Sequence, residues 1–102
     1  MDNYAVLVDT SATADLDDAV SWYEERRQGL GLEFMMDFHS ALGLLASNPR
    51  LYQKVLGEFR RVIMRKYPYA IYYTVEGREV LVIAVWHSSR DSARLEKRIK
   101  LD

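Results

Sequence analysis

Apolar positions in this chain change period once, near Phe59. Between Leu16 and Leu45 they recur every three or four residues, the spacing of a helix face. From Phe59 to Trp86 they form short aromatic and branched runs separated by turn residues. Ahead of both, Tyr4 to Val8 is a brief run rich in Val and Leu that alternates little, as a first strand covered on both faces would, and Thr10 and Ser11 end it. Thr13 then reads as a helix N-cap. Asp15, Asp17 and Asp18 follow in what would be the first turn, where the helix dipole favours acids, and Arg26 and Arg27 stand in the last, where it favours bases. Leu16, Ala19, Val20 and Tyr23 give this helix one apolar stripe.

Gly29 and Gly31 bracket Leu30 and punctuate the helical pattern, since glycine accepts the positive φ with which many helices stop. A second helix follows at once. Phe34, Met35, Phe38, Ala41, Leu42 and Leu45 share its broad apolar face, Asp37 and Ser40 fall off that face, and Ser47, Asn48 and Pro49 break it. Phe59–Lys66, Tyr69–Glu76 and Val80–Trp86 then read as three strands, turned at Tyr67-Pro68 and at Glu76-Gly77-Arg78. The last is apolar on both faces, as a central strand is. One face falls to the helical hairpin. The other has only Ser92 to Leu101, a charged segment with Leu95 and Ile99 four apart on a short helix, so the pattern predicts an incompletely covered sheet with an apolar groove that a partner fills.

The fold expected is α+β, in the order β-α-α-β-β-β(-α), with an N-terminal helical hairpin packed on a small, mainly antiparallel sheet. The 102 residues, 49% of them hydrophobic, are enough for one domain (1–102) and too few for two. No apolar run approaches the roughly 20 residues of a membrane helix, and MDNYAVLVDT lacks the basic start and cleavage site of a signal peptide, so a cytoplasmic protein without membrane contact is expected. With no cysteine and histidines only at 39 and 87, neither a metal nor a cofactor is expected. The net charge of −1 conceals an uneven distribution. Residues 1–58 carry ten acids against four bases, and residues 59–102 ten bases against five acids. That basic second half suits an anionic partner, although two oppositely charged halves also attract each other on folding.

Several segments, taken in order, resemble one family: WYEERRQGLGLEF (Trp22 to Phe34), NPRLY (Asn48 to Tyr52), and RRVIMRKYPYAIYY closing in VWHSSRD at Asp91. Together they resemble the RelE/ParE superfamily of bacterial toxins from type II toxin-antitoxin modules, and most closely the ParE branch, also called plasmid stabilisation proteins, over roughly residues 4 to 95. The resemblance implies a growth inhibitor neutralised by a cognate antitoxin, with which it forms a hetero-oligomer. ParE-like members act on DNA gyrase, while RelE-like members cut mRNA on the ribosome, and an inactive family member is a third possibility. The chain departs from the family pattern after Asp91, where Ser92 replaces a common proline and Leu95 stands in a region where a tryptophan often occurs.

A nuclease reading would assign His87 as acid or base, with Arg61, Arg65 and Arg90 holding the phosphate and Tyr72 or Tyr73 stacking on a base. Against it stand the near-zero net charge and a tail, Ala93 to Asp102, without an aromatic residue. A gyrase-directed toxin needs a binding surface only. Arg60, Arg61, Arg65, His87 and Arg90 are the expected target-binding set, with no catalytic residue. Antitoxin contacts are expected at Leu30, Met35 and Met36 on the hairpin, where methionine adapts to a partner, and at Val80, Val82 and Val85 on the sheet. The plainer reading of these side chains is structural: His87 capping a strand end, the arginines on a solvated sheet face, the tyrosines, Trp22 and Tyr23 in packing, and His39 on the surface.

Overall fold

The computed structural model describes residues 3–101; Met1, Asp2 and Asp102, at the ends of the expected domain, lie outside it. A strand β1 (Ala5–Val8) leads into helices α1 (Thr10–Arg26) and α2 (Leu30–Ser47). A short 3-10 turn (Pro49–Leu51) precedes β2 (Lys54–Leu56), β3 (Phe59–Ile63), β4 (Tyr69–Glu76), β5 (Glu79–His87) and a final helix α3 (Ser92–Leu101). The five strands form one sheet in the order β1-β5-β4-β3-β2, parallel only between β1 and β5. The expected α+β order is therefore present, with β2 as an unforeseen addition.

Helix α1 begins four residues earlier than its acidic cluster suggested. Asp9, not Thr13, is the N-cap: its carboxylate accepts from the Ser11 N–H at 3.2 Å and from Ser11 Oγ at 2.6 Å. The Ser11 hydroxyl, more than any other group, holds the Asp9 carboxyl below its ordinary range. Thr10 and Ser11 thus open the helix, and Asp15 falls in its second turn, on the stripe with Ala12, Leu16 and Ala19. At the other end Gly29 adopts φ 92°, a conformation that costs any residue with a Cβ, and Glu24 reaches across the turn to accept from the Gly29 and Gly31 N–H groups. Those two hydrogen bonds lower the Glu24 pKa. A Cβ at Gly31 would stand 3.0 Å from the Val20 carbonyl oxygen, so glycine lets the two helices meet closely.

The hairpin covers one face of the sheet. Ala12, Leu16, Phe34, Phe38 and Leu45 from the helices interlock with Val62, Ile71, Tyr73, Val80, Val82 and Val85 in the main core. Tyr73 is fully buried and donates its hydroxyl to the Pro49 carbonyl at 2.7 Å; burial pushes its pKa up to about 12. A bulge redistributes β5: Tyr72 pairs with Ala84 and Tyr73 with Val82, leaving Ile83 without a partner. Val85 consequently faces the hairpin like Val82, while Ala84 and Trp86 turn to the opposite face. There α3 lays Leu95 and Ile99 over Ala70, Tyr72, Ala84 and Trp86 in a second, smaller core.

Several expectations fail here for identifiable reasons. β1 is an edge strand, paired on one side only, with Ala5 exposed and Leu7 half exposed. β3 stops at Ile63 instead of Lys66, because the Lys66 N–H leaves the ladder and donates to Asp37 at 2.9 Å. Asp37 is correspondingly buried, on the stripe between Phe34 and Phe38 and not off it. Trp22 is half exposed and carries the Arg26 guanidinium 3.7 Å over its ring. The second face is covered at its centre by α3, and among the described residues bare apolar side chains remain toward its margins, at Leu7, Leu81 and Ile63.

Candidate functional site

The exit of β5 is built to hold one conformation. The Ser88 N–H donates to the Pro68 carbonyl at 2.8 Å, and the Arg90 N–H returns to the His87 carbonyl at 3.0 Å. The His87 ring caps this turn itself: Nδ1 accepts from the Ser89 N–H at 3.0 Å and lies 2.8 Å from Ser89 Oγ. An Nδ1 engaged as an acceptor leaves the proton of a neutral ring on Nε2. Tyr69 meets His87 edge-on at 5.0 Å. Burial, first of all, raises the Tyr69 pKa, so its hydroxyl stays protonated. Asp91 then starts α3 by accepting from the Ala93 N–H at 2.9 Å. Each polar residue of the VWHSSRD segment thus has a local structural task.

Beneath this turn lies a buried ion-pair cluster. Because β1 ends at Val8, opposite Val82, no strand among the described residues neighbours the β5 edge beyond it. Asp15 takes that place, accepting from the Val85 N–H at 3.0 Å. It also receives Arg98 of α3 in a two-pronged contact, Nη1 to Oδ2 at 2.7 Å and Nη2 to Oδ1 at 3.0 Å. Arg98 Nη1 donates to the Ile83 carbonyl at 3.4 Å, and Ser11 Oγ, whose proton is shared with the nearer Asp9 carboxylate, lies 3.0 Å from the same carbonyl. Arg90 stands 3.9 Å from Asp15 and lays its guanidinium 4.0 Å over the Trp86 ring. One aspartate therefore ties α1, β5 and α3 together.

Two open clefts meet along His87 and Arg90. One, of about 520 Å³, runs on the hairpin side between Asp18, Trp22, Tyr23 and Tyr69. The other, of about 320 Å³, lies on the α3 side and is lined by Arg61, Tyr72, Trp86, His87, Arg90 and Leu95 among others, with no carboxylate. Arg61 points its guanidinium at the Tyr72 hydroxyl, 3.4 Å away. This second cleft is a basic, aromatic surface of the kind an anionic partner fits.

The five residues expected to bind the target are thus divided. Arg61, His87 and Arg90 line the same cleft. Arg60 does not join them: it donates to the Arg50 and Tyr52 carbonyls and fastens the segment before β2. Arg65 lies in the β3–β4 connection, beside Met36, Asp37 and Ser40. The four nuclease candidates, Arg61, Arg65, His87 and Arg90, are accordingly not one constellation. The expected antitoxin contacts on the sheet require a correction, since Val80, Val82 and Val85 are fully buried under the hairpin and offer no surface. On the hairpin Met36 is exposed, whereas Leu30 and Met35 are half-buried. Sequence reasoning overlooked Asp15 and Arg98. An acid on the apolar stripe of α1 was the available sign.

The chain from residue 6 to 92 matches the family model described as the ParE toxin of the type II toxin-antitoxin system, parDE. Sequence comparison with individual curated proteins gives no match. Among solved structures, the fold resembles a chain of a chromosomal ParDE toxin-antitoxin system from P. aeruginosa, with a TM-score of 0.74 at 16% identity, covering 82% of this chain and 95% of that one. It also resembles the E. coli toxin RelE in the free state, a double arginine-to-alanine mutant, with a TM-score of 0.66 at 17% identity over 97% of each chain. These likenesses bear on fold alone, and the family match carries the assignment: the chain belongs to the ParE toxin family of type II toxin-antitoxin systems.

Proposed function

We propose that this protein inhibits growth by binding DNA gyrase, without chemistry of its own, and that a cognate antitoxin neutralises it. The observation that carries this reading is the division of the nuclease candidates. Cutting RNA through its own 2′-hydroxyl requires a base, an acid and phosphate-holding cations converging on one atom. Here Arg65 stands apart, and the His87 Nδ1 is committed to its own turn. What remains on the α3 side, Arg61 and Arg90 flanked by Tyr72 and Trp86, suits docking on an anionic or acidic surface. The binding surface proposed is therefore Arg61 and Arg90, with His87 on its rim.

Induction of the toxin without its antitoxin tests the reading. Filamentation with a DNA-damage response is expected; arrested translation with cleaved mRNA and intact DNA would replace gyrase by the ribosome as the target. Growth unaffected by a folded, accumulated protein would mean an inactive family member.

A further inference from the structure

The charges of this chain are sorted by face. Helices α1 and α2, on one side of the sheet, carry seven acids and one base, whereas α3, on the other, carries four bases and one acid. Leu95 and Ile99 turn one side of α3 to the sheet, and Arg98 reaches Asp15 from its edge. At about 100° per residue, Arg94, Lys97 and Lys100 then fall on the side that faces away, three residues apart, as one ridge. All three are exposed, and among the described residues none of their side chains has an ion-pair or hydrogen-bond partner. Helix stability does not ask for this arrangement. Arg94 stands in the first turn, behind the Asp91 cap, where the helix dipole disfavours a cation; only Lys100, in the last turn, complements that dipole. The ridge continues a surface that is already basic, since Arg61 and Arg90 line the adjoining cleft, whose wall includes Ser92 and Leu95 of α3.

We infer that this ridge rests on the phosphate backbone of the DNA that gyrase holds, while the cleft holds the enzyme. The inference rests on the gyrase reading above and adds a second component of the target to it. Composition selects DNA over an acidic protein surface. Interfaces between proteins are depleted in lysine and anchored by buried aromatic or aliphatic side chains, but the outer side of α3 offers only Ala93 and the stems of its basic residues. Phosphate contacts need no such anchor, because cations that displace condensed counterions supply the affinity themselves. With a net charge of −1, the free toxin has no long-range attraction for DNA. The ridge takes effect once gyrase binding sets it beside the duplex at high effective concentration.

The test is the affinity of the toxin for purified gyrase, measured with and without a bound DNA duplex at several salt concentrations. DNA should tighten binding of the parent by about tenfold. In an Arg94→Gln/Lys97→Gln/Lys100→Gln variant, in which glutamine keeps the helix propensity and hence the urea midpoint, that gain should vanish. Its slope of log affinity against log salt on the gyrase–DNA complex should be shallower by about 2 to 3, while its affinity for gyrase alone stays that of the parent. A parent that gains nothing from DNA, or a variant that keeps the full gain, overturns the inference and leaves the gyrase reading standing. A variant weakened equally toward gyrase alone would put the ridge on an acidic protein surface, which overturns it as well. A parent that binds gyrase neither with nor without DNA removes the gyrase reading and the inference with it. Glu96→Gln, which takes the one acid out of α3, supplies a second reading that misfolding cannot imitate. It should enlarge the DNA-dependent gain about twofold to threefold; an unchanged or smaller gain contradicts the contact with DNA.

Discussion

The two faces of the sheet are built from the same strands and do different work. The hairpin face carries large, fully buried side chains such as Phe34, Phe38, Leu45, Ile71 and Tyr73, interlocked across two helices. The α3 face carries a small core centred on Leu95 and Trp86, bordered by Arg61, His87 and Arg90, and is held down by one short helix and one ion-pair cluster. Apolar area removed from water scales with stabilisation, so the first face accounts for most of the fold. The second retains little beyond what orders its own basic surface. A protein whose job is to bind can leave one face thin in this way, because affinity for a partner draws on the groups that folding has not used.

Substitutions should separate the faces in graded fashion. Phe34→Ala opens a cavity in the main core and should cost about 4 kcal/mol, enough to unfold much of the population in a urea titration. Asp15→Ala should follow at about 3 kcal/mol, because it removes the acceptor of the buried Val85 N–H and the carboxylate that the Arg98 guanidinium grips with two hydrogen bonds. Leu95→Ala should cost about 2 kcal/mol, the low end for a buried leucine, since α3 can settle onto the sheet. If Leu95→Ala proved as damaging as Phe34→Ala, the claimed inequality of the faces would collapse.

Tyr73→Phe should cost about 1 kcal/mol for the lost bond to Pro49, and it gives the main core a pH signature. Folding raises the Tyr73 pKa from 10.0 to about 12, so this hydroxyl favours the folded state fully below pH 10 and progressively less as pH rises toward 12. Denaturant midpoints should therefore fall across that window, and less steeply in Tyr73→Phe. Tyr23, Tyr67 and Tyr69, also raised by burial, contribute in the same direction.

Much of this architecture was legible in the sequence, and the exceptions share a physical cause. Two helical stripes and three strand runs located the hairpin and sheet, because both periods are written in side chains that must be buried. Asp15 and Asp37 were misread, one as a dipole-compensating acid and the other as a surface residue. Each sits on an apolar stripe and accepts a backbone N–H from the sheet, Val85 and Lys66 respectively. Such a role depends on where a strand ends, which local pattern does not specify. The Ile83 bulge was equally hidden, since Val80 to Trp86 is apolar throughout and reveals no change of face. At the site, the sequence named Arg61, His87 and Arg90 but grouped Arg60 and Arg65 with them. Adjacent strand residues point to opposite faces, and Arg65 has already left its strand.

The smallest effect on stability should accompany the largest on function. In an Arg61→Glu/Arg90→Gln double variant, the glutamine avoids placing a new carboxylate near Asp15, and the urea midpoint should stay close to that of the parent. A plasmid cleavage assay with purified gyrase is the most direct test of the central claim. The parent toxin should cause gyrase-dependent linear DNA to accumulate, and the double variant should not. Absence of any gyrase effect from the parent, together with ribosome-dependent mRNA cleavage abolished by His87→Gln, would contradict the account.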